Sequence, residues 1–264
     1  MTLETPKKDD TESFANPETK LPRADCLALL GRGVVRVSSG EEEHWKLSRY
    51  IEEVEPGREG GSSRTGEQVS GAISELPQEN LIISGGTAGV LGALQYLEEV
   101  EGKKPLVVMA AGRPPYLKNA PEEMSEGSVM KRELLRRLDE SPEVIVNDDK
   151  NTYEGVLHSL QTAQERGRSS IVFTTIELHM PRVKELHKYI VQERPELRAL
   201  KAYFVTAEDL LRRRYAGYLP RLEAFERIQQ ELHESDAWKR MWEREQRGVQ
   251  DLKEGTYRRD WKDL

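Results

Sequence analysis

The sequence holds one cysteine in 264 residues, Cys26, so no internal disulfide can form, which fits a reducing compartment. Cys26 lies in the apolar run Ala24–Leu30, where a buried strand residue is the expected role rather than a nucleophile. Nowhere does an apolar run approach the ~20 residues that a membrane-spanning helix requires. The N-terminal segment lacks the apolar core of a secretory signal, and its polar, proline-containing composition predicts a disordered tail over residues 1–20. Together these absences point to a cytoplasmic protein that uses no membrane. Positive net charge is missing as well. The formal value of −7 argues against a general affinity for nucleic acid, yet leaves room for a local basic pocket around a small anion.

What is present is a set of short apolar runs in a chain that is 36 % hydrophobic and 33 % charged, so a modest core under a heavily charged surface is expected. Ala24–Leu30, Asn80–Ser84, Pro105–Ala111, Glu143–Asn147, Ser170–Thr175 and Ala202–Val205 read as strands. They are aliphatic without polar alternation, as strands buried on both faces of a parallel sheet are. Helical spacing of apolar residues separates them over Val90–Val100, Ser125–Leu138, Tyr153–Gln164 and Pro181–Gln192. The alternation predicts an α/β fold, a Rossmann-like three-layer sandwich over residues 21–206 with a mostly parallel sheet. Between the first two strands, Trp45–Val54 suits a helix and Pro56–Gln68 has loop composition. From residue 207 to 264 the chain reads as charged helices interrupted by Tyr215, Tyr218, Phe225, Trp238, Trp242, Tyr257 and Trp261. That helical extension is expected to dock on the core or to form a homodimer.

In an open α/β sheet the ligand sits outside the carboxyl ends of the strands, so the residues after each strand are the candidates. Gly31 follows the first strand in Leu29–Gly33, but no third glycine stands at Arg36 to complete a dinucleotide fingerprint. Gly85 and Gly86 open the stretch Ser84–Gly92, where a backbone without side chains can approach a phosphate at a helix start. A plain strand–helix turn would use the same glycines. Arg113 ends a strand as a possible anion ligand or ion-pair partner. Ser125 and Glu126 suit an N-cap and a first-turn acid, and Asn151, Thr152 and Glu154 suit the next helix start. Thr174 closes another strand, with His179 and Arg182 flanking Pro181 beyond it. His179 is the best single candidate for acid–base work, with Glu126 and Glu154 as further proton-transfer groups. The carboxylates and His179 permit a divalent ion, but no ligand spacing demands one.

Taken in order, Leu29–Gly33, the Gly-Gly turn after Ser84, Ser125–Met130, Asn151–Gly155 and His179–Arg182 resemble the motifs of the YdcF/SanA/ElyC-like family. The resemblance runs from about Ala24 to Val205. It departs from the family at Gly127, where alanine is usual, and at Gly155, where a second asparagine is usual. It implies a Rossmann-like sheet whose motif residues line one cleft. Membrane-anchored members are linked to envelope physiology, and a soluble member is associated with S-adenosylmethionine. The resemblance therefore implies a small-molecule ligand of the nucleotide-like or phosphorylated kind, S-adenosylmethionine among them. Gly31, Gly85, Gly86, Arg113, Ser125, Asn151, Thr152, Thr174 and Arg182 would bind it, and His179, Glu126 and Glu154 would act on it. Two rivals stand beside an enzyme: a sensor that binds without turnover, and an interaction module working through the C-terminal helices. The turn at Ser84–Ala93 is also similar to that of lysine-decarboxylase-like phosphoribohydrolases, whose later Pro-Gly-Gly motif this chain lacks.

Overall fold

The run around Cys26 forms β1 (Cys26–Leu30), every residue of which is buried. The structure, a computed structural model, describes residues 14–31, 34–39, 42–47, 85–113 and 121–257. After β1 the chain makes an antiparallel hairpin of β2 (Val34–Ser39) and β3 (Glu42–Leu47), in register from Val34 opposite Leu47 to Ser39 opposite Glu42. Residues 42–47 are therefore strand, which corrects the start of the helix expected over Trp45–Val54; its remainder, 48–54, lies outside the described residues. The valine-rich segment Val34–Ser39 lies two residues upstream, and local pairing satisfies the facing backbone groups of both strands at once. The strand expected over Asn80–Ser84 and the loop expected over Pro56–Gln68 lie outside the described residues, as does Trp261.

From α1 (Gly85–Glu99) onward, helix and strand alternate: β4 (Leu106–Ala110), α2 (Glu126–Leu135), β5 (Val144–Asn147), α3 (Thr152–Glu165), β6 (Ser170–Thr175), α4 (Met180–Glu193) and β7 (Lys201–Thr206). Five strands form one sheet of order β5-β4-β1-β6-β7 among the described residues, with every pairing parallel. The chain builds outward from β1 through β4 to β5, then crosses back to β6 on the other side. The topological switch thus falls between β1 and β6, as in a doubly wound sheet.

The two-residue period of a strand sorts the core. Leu27, Leu29, Val107, Met109 and Val172 meet α1 and α2 on one face. Cys26, Ala28, Leu30, Val108, Ile171 and Phe173 meet α3 and α4 on the other. Both faces are covered, which explains why the strand sequences show no polar alternation. Cys26 is fully buried, and burial pushes its thiol up to about 12, the state of an inert core residue.

The chain ends in α5 (Ala207–Tyr215), α6 (Leu219–Glu234) and α7 (Asp236–Glu254). Helix α5 packs on α1, where a Cβ at Gly92 would lie 3.1 Å from Ala207 Cα. Tyr215, Phe225, Ile228, Trp238 and Met241 are buried with Ala88, Ile176 and Leu178, so these aromatics dock on the chain's own core. Helix α7 then runs against α4.

Residues 14–20 correct the expectation of a tail disordered to residue 20. Phe14 joins the core. Arg213 of α5 donates from Nη1 to the carbonyls of Phe14, Asn16 and Thr19 at 3.3, 2.6 and 2.9 Å, and from Nη2 to that of Pro17 at 3.3 Å. Its Nε also reaches Glu99 of α1 at 2.8 Å. One buried guanidinium therefore ties α5, α1 and the N-terminal segment together. Arg213→Ala is expected to lower the unfolding free energy by about 3 kcal/mol. It should also speed amide exchange over residues 14–20. Urea denaturation with an unchanged midpoint would contradict this role.

Candidate functional site

Because the pairings are parallel, the carboxyl ends of all five strands lie on one edge, and α2, α3 and α4 begin there with the positive ends of their dipoles. Short residues let these turns close on one another. A Cβ at Gly31 would sit 2.7 Å from Glu126 Cδ, and one at Gly112 would sit 2.0 Å from the Asp149 carbonyl oxygen. A Cβ at Gly127 would sit 2.5 Å from the Ala111 carbonyl oxygen, which accounts for glycine there.

Several expected site residues have local structural duties. Ser125 caps α2, with reciprocal bonds to Ser128 at 3.0 Å in each direction. Glu126 follows it, buried beside Gly31. Asn151 caps α3 by accepting from the Glu154 amide at 2.9 Å, while the Glu154 carboxylate accepts from the Lys150 amide at 2.8 Å. Gly85, at φ +80°, and Gly86 start α1 and are both buried. Arg113 donates to the Glu122 carbonyl at 3.2 Å. Thr174 is fully buried in β6, and its hydroxyl has no hydrogen-bond partner among the described residues.

Three expected residues do converge, and two of them also meet a fourth that the sequence did not single out. Thr152 opens α3, and His179 and Arg182 come from the start of α4. His179 Nε2 lies 3.3 Å from Thr152 Oγ1, and Arg182 Nη2 donates to the same hydroxyl at 3.2 Å. Glu245 of α7 reaches in from the far side. Its Oε2 is 2.9 Å from His179 Nδ1 and 3.0 Å from Arg182 Nε. The side chains of His179 and Glu245 are 4 % and 2 % exposed, so this charge cluster is buried; Thr152 is half-buried and forms its outer end. The signal for Glu245 was periodicity. It continues the stripe Trp238, Met241, Val249 and Leu252 of α7, where an apolar residue would be expected.

A second acid–imidazole pair joins the end of β5 to α3. Asp149 is buried after β5, and its Oδ1 lies 2.6 Å from Nδ1 of the partly exposed His158. Its Oδ2 is buried without a hydrogen-bond partner among the described residues. Burial pushes Asp149 up to about 6, against the opposing pull of His158. His158 borders a depression of about 370 Å³ with Asn147, Asp148 and Gln161.

Among the described residues no group of three or more His, Cys, Asp or Glu side chains is arranged to hold a metal ion, and no helix is long and apolar enough to cross a membrane. Comparison with models of protein families, with curated proteins and with solved structures gives no match.

The raised Asp149 carboxyl has a consequence for stability. Below pH ~4 it is protonated both folded and unfolded. Between pH ~4 and ~6 the unfolded chain ionises first, so stability falls as pH rises, and the loss is complete above ~6. An asparagine at this position could still accept from His158. Asp149→Asn is therefore expected to match the wild type near pH 4 and to exceed it by roughly 3 kcal/mol at pH 8, by urea denaturation. A constant difference across that range would contradict the assignment.

Proposed function

We propose that the carboxyl edge of this sheet binds a nucleotide-like or phosphorylated small molecule and that His179 exchanges a proton with it. The observation that carries the reading is the convergence of His179 and Arg182 on the Thr152 hydroxyl, at the first residue of α3. A helix N-terminus beside a hydroxyl and a guanidinium supplies donors suited to an anionic oxygen. Glu245 neutralises Arg182, so directed hydrogen bonds rather than net charge would hold that oxygen. The order of the motif residues around this edge also supports membership of the YdcF/SanA/ElyC-like family. With it comes S-adenosylmethionine as a ligand to try, in a cytoplasmic protein. A sensor would use the same site and release no product.

One observation favours a different surface. Tyr218 and Leu219, at the corner between α5 and α6, are 63 % and 61 % exposed and suit a protein partner or a second copy of the chain.

A thermal-shift panel of S-adenosylmethionine, nucleotides, sugar nucleotides and phosphorylated metabolites tests the main reading. At least one ligand should raise the melting temperature of the wild type, and that rise should disappear in His179→Ala and Arg182→Ala. A flat response across the panel would reject the small-molecule site and favour the Tyr218–Leu219 surface.

A further inference from the structure

Glu245 stands where the packing of α7 calls for an apolar side chain. Met241 and Val249, one turn to either side, are both buried, and Glu245 itself is 2 % exposed. A carboxylate in such a place needs compensation, and among the described residues His179 and Arg182, at the start of α4, contribute it. The close approach is built into the helix. A Cβ at Gly248 would lie 3.0 Å from Arg182 Cδ, so glycine lets α7 settle over the arginine.

We infer that Glu245 is the positioning residue of the proposed site, fixing His179 in the tautomer that acts as a base toward Thr152 and whatever binds beside it. This rests on the small-molecule reading above. An ionised carboxylate only accepts, so at 2.9 Å the proton between it and His179 sits on Nδ1. The contact of Arg182 Nη2 with the same nitrogen, at 3.4 Å, is then between two donors and is the weaker of the two. Nε2 is left as an acceptor facing the Thr152 hydroxyl. That hydroxyl donates to Nε2 and receives the Nη2 proton of Arg182. The hydrogen bonds run in one direction, from Arg182 through Thr152 and His179 to Glu245. A ligand hydroxyl that takes the place of Thr152 meets a base, not an acid. The C-terminal helix is on this account part of the site, although it lies outside the span of the family resemblance.

The test is the ¹⁵N spectrum of the His179 ring in the full chain, recorded at the alkaline end of its folded range and assigned by its loss in His179→Gln. The proton is expected on Nδ1, with Nε2 unprotonated and shifted by the Thr152 bond; Thr152→Val should remove that shift and leave the proton where it is. In Glu245→Ala the ring should relax toward the Nε2-protonated form. In Glu245→Gln, whose amide oxygen can still accept, the proton should stay on Nδ1. A wild-type ring protonated on Nε2, or on both nitrogens, would overturn the inference without need of a variant. So would an unchanged tautomer in a folded Glu245→Ala, the result expected of a residue that only packs α7. Because no ligand enters this experiment, an Nδ1 proton together with a flat thermal-shift panel would sink the binding reading while leaving the tautomer assignment in place.

Discussion

A carboxylate inside a hydrophobic contact sets the terms for the last part of this fold. Glu245 loses nearly all of its hydration when α7 docks, a penalty of several kcal/mol that packing of Met241, Val249 and Leu252 alone would have to absorb. His179 returns much of it through a hydrogen bond at 2.9 Å, and Arg182 adds an ion-pair contact at 3.0 Å. The arrangement also accounts for the start of α4. His179 occupies the N-cap position but makes no side-chain capping bond, because its ring is turned to Glu245 and Thr152. A capping interaction worth about 1 kcal/mol is given up for one that joins three helices.

The sheet makes that junction possible. With the order β5-β4-β1-β6-β7 and every strand parallel, the starts of α2, α3 and α4 gather at one edge, although their sequences are far apart. Glycines at 31, 112 and 127 remove the side chains that would hold the turns apart, bringing Glu126 to the end of β1 and Asp149 against the β4 turn. The edge is consequently dense with carboxylates and imidazoles. Asp149, pushed up to about 6 by burial, shows what that density costs.

The layers of the fold were legible because both faces of the sheet are covered: buried strands leave uninterrupted aliphatic runs, and Cys26–Leu30, Leu106–Ala110 and Ser170–Thr175 fall within a residue or two of the runs that announced them. Caps were legible too, since Ser125 and Asn151 have the chemistry that their positions need. Trp45 misled, because a short charged segment looks helical until its hairpin partner is known. The tail misled for a similar reason: nothing in residues 14–20 reveals that Arg213, far along the chain, will bind their carbonyls. His179, Thr152 and Arg182 could be picked out one by one from strand ends, but their meeting at one hydroxyl depends on how α3 and α4 lie together. Glu245 and Asp149 were hidden among many acidic residues. Only burial separates them from the solvated ones.

The central claim is that the buried contact between α7 and α4 is a genuine coupling, not a fortuitous meeting of side chains. A double-mutant cycle on His179→Ala and Glu245→Ala, read by urea denaturation, measures it most directly. The account predicts that Glu245→Ala is destabilising in the wild-type background and much less so once His179 is gone, with a coupling energy of about 2 kcal/mol. Effects that simply add, within ~0.5 kcal/mol, would show that the imidazole and the carboxylate do not hold each other and would contradict the account.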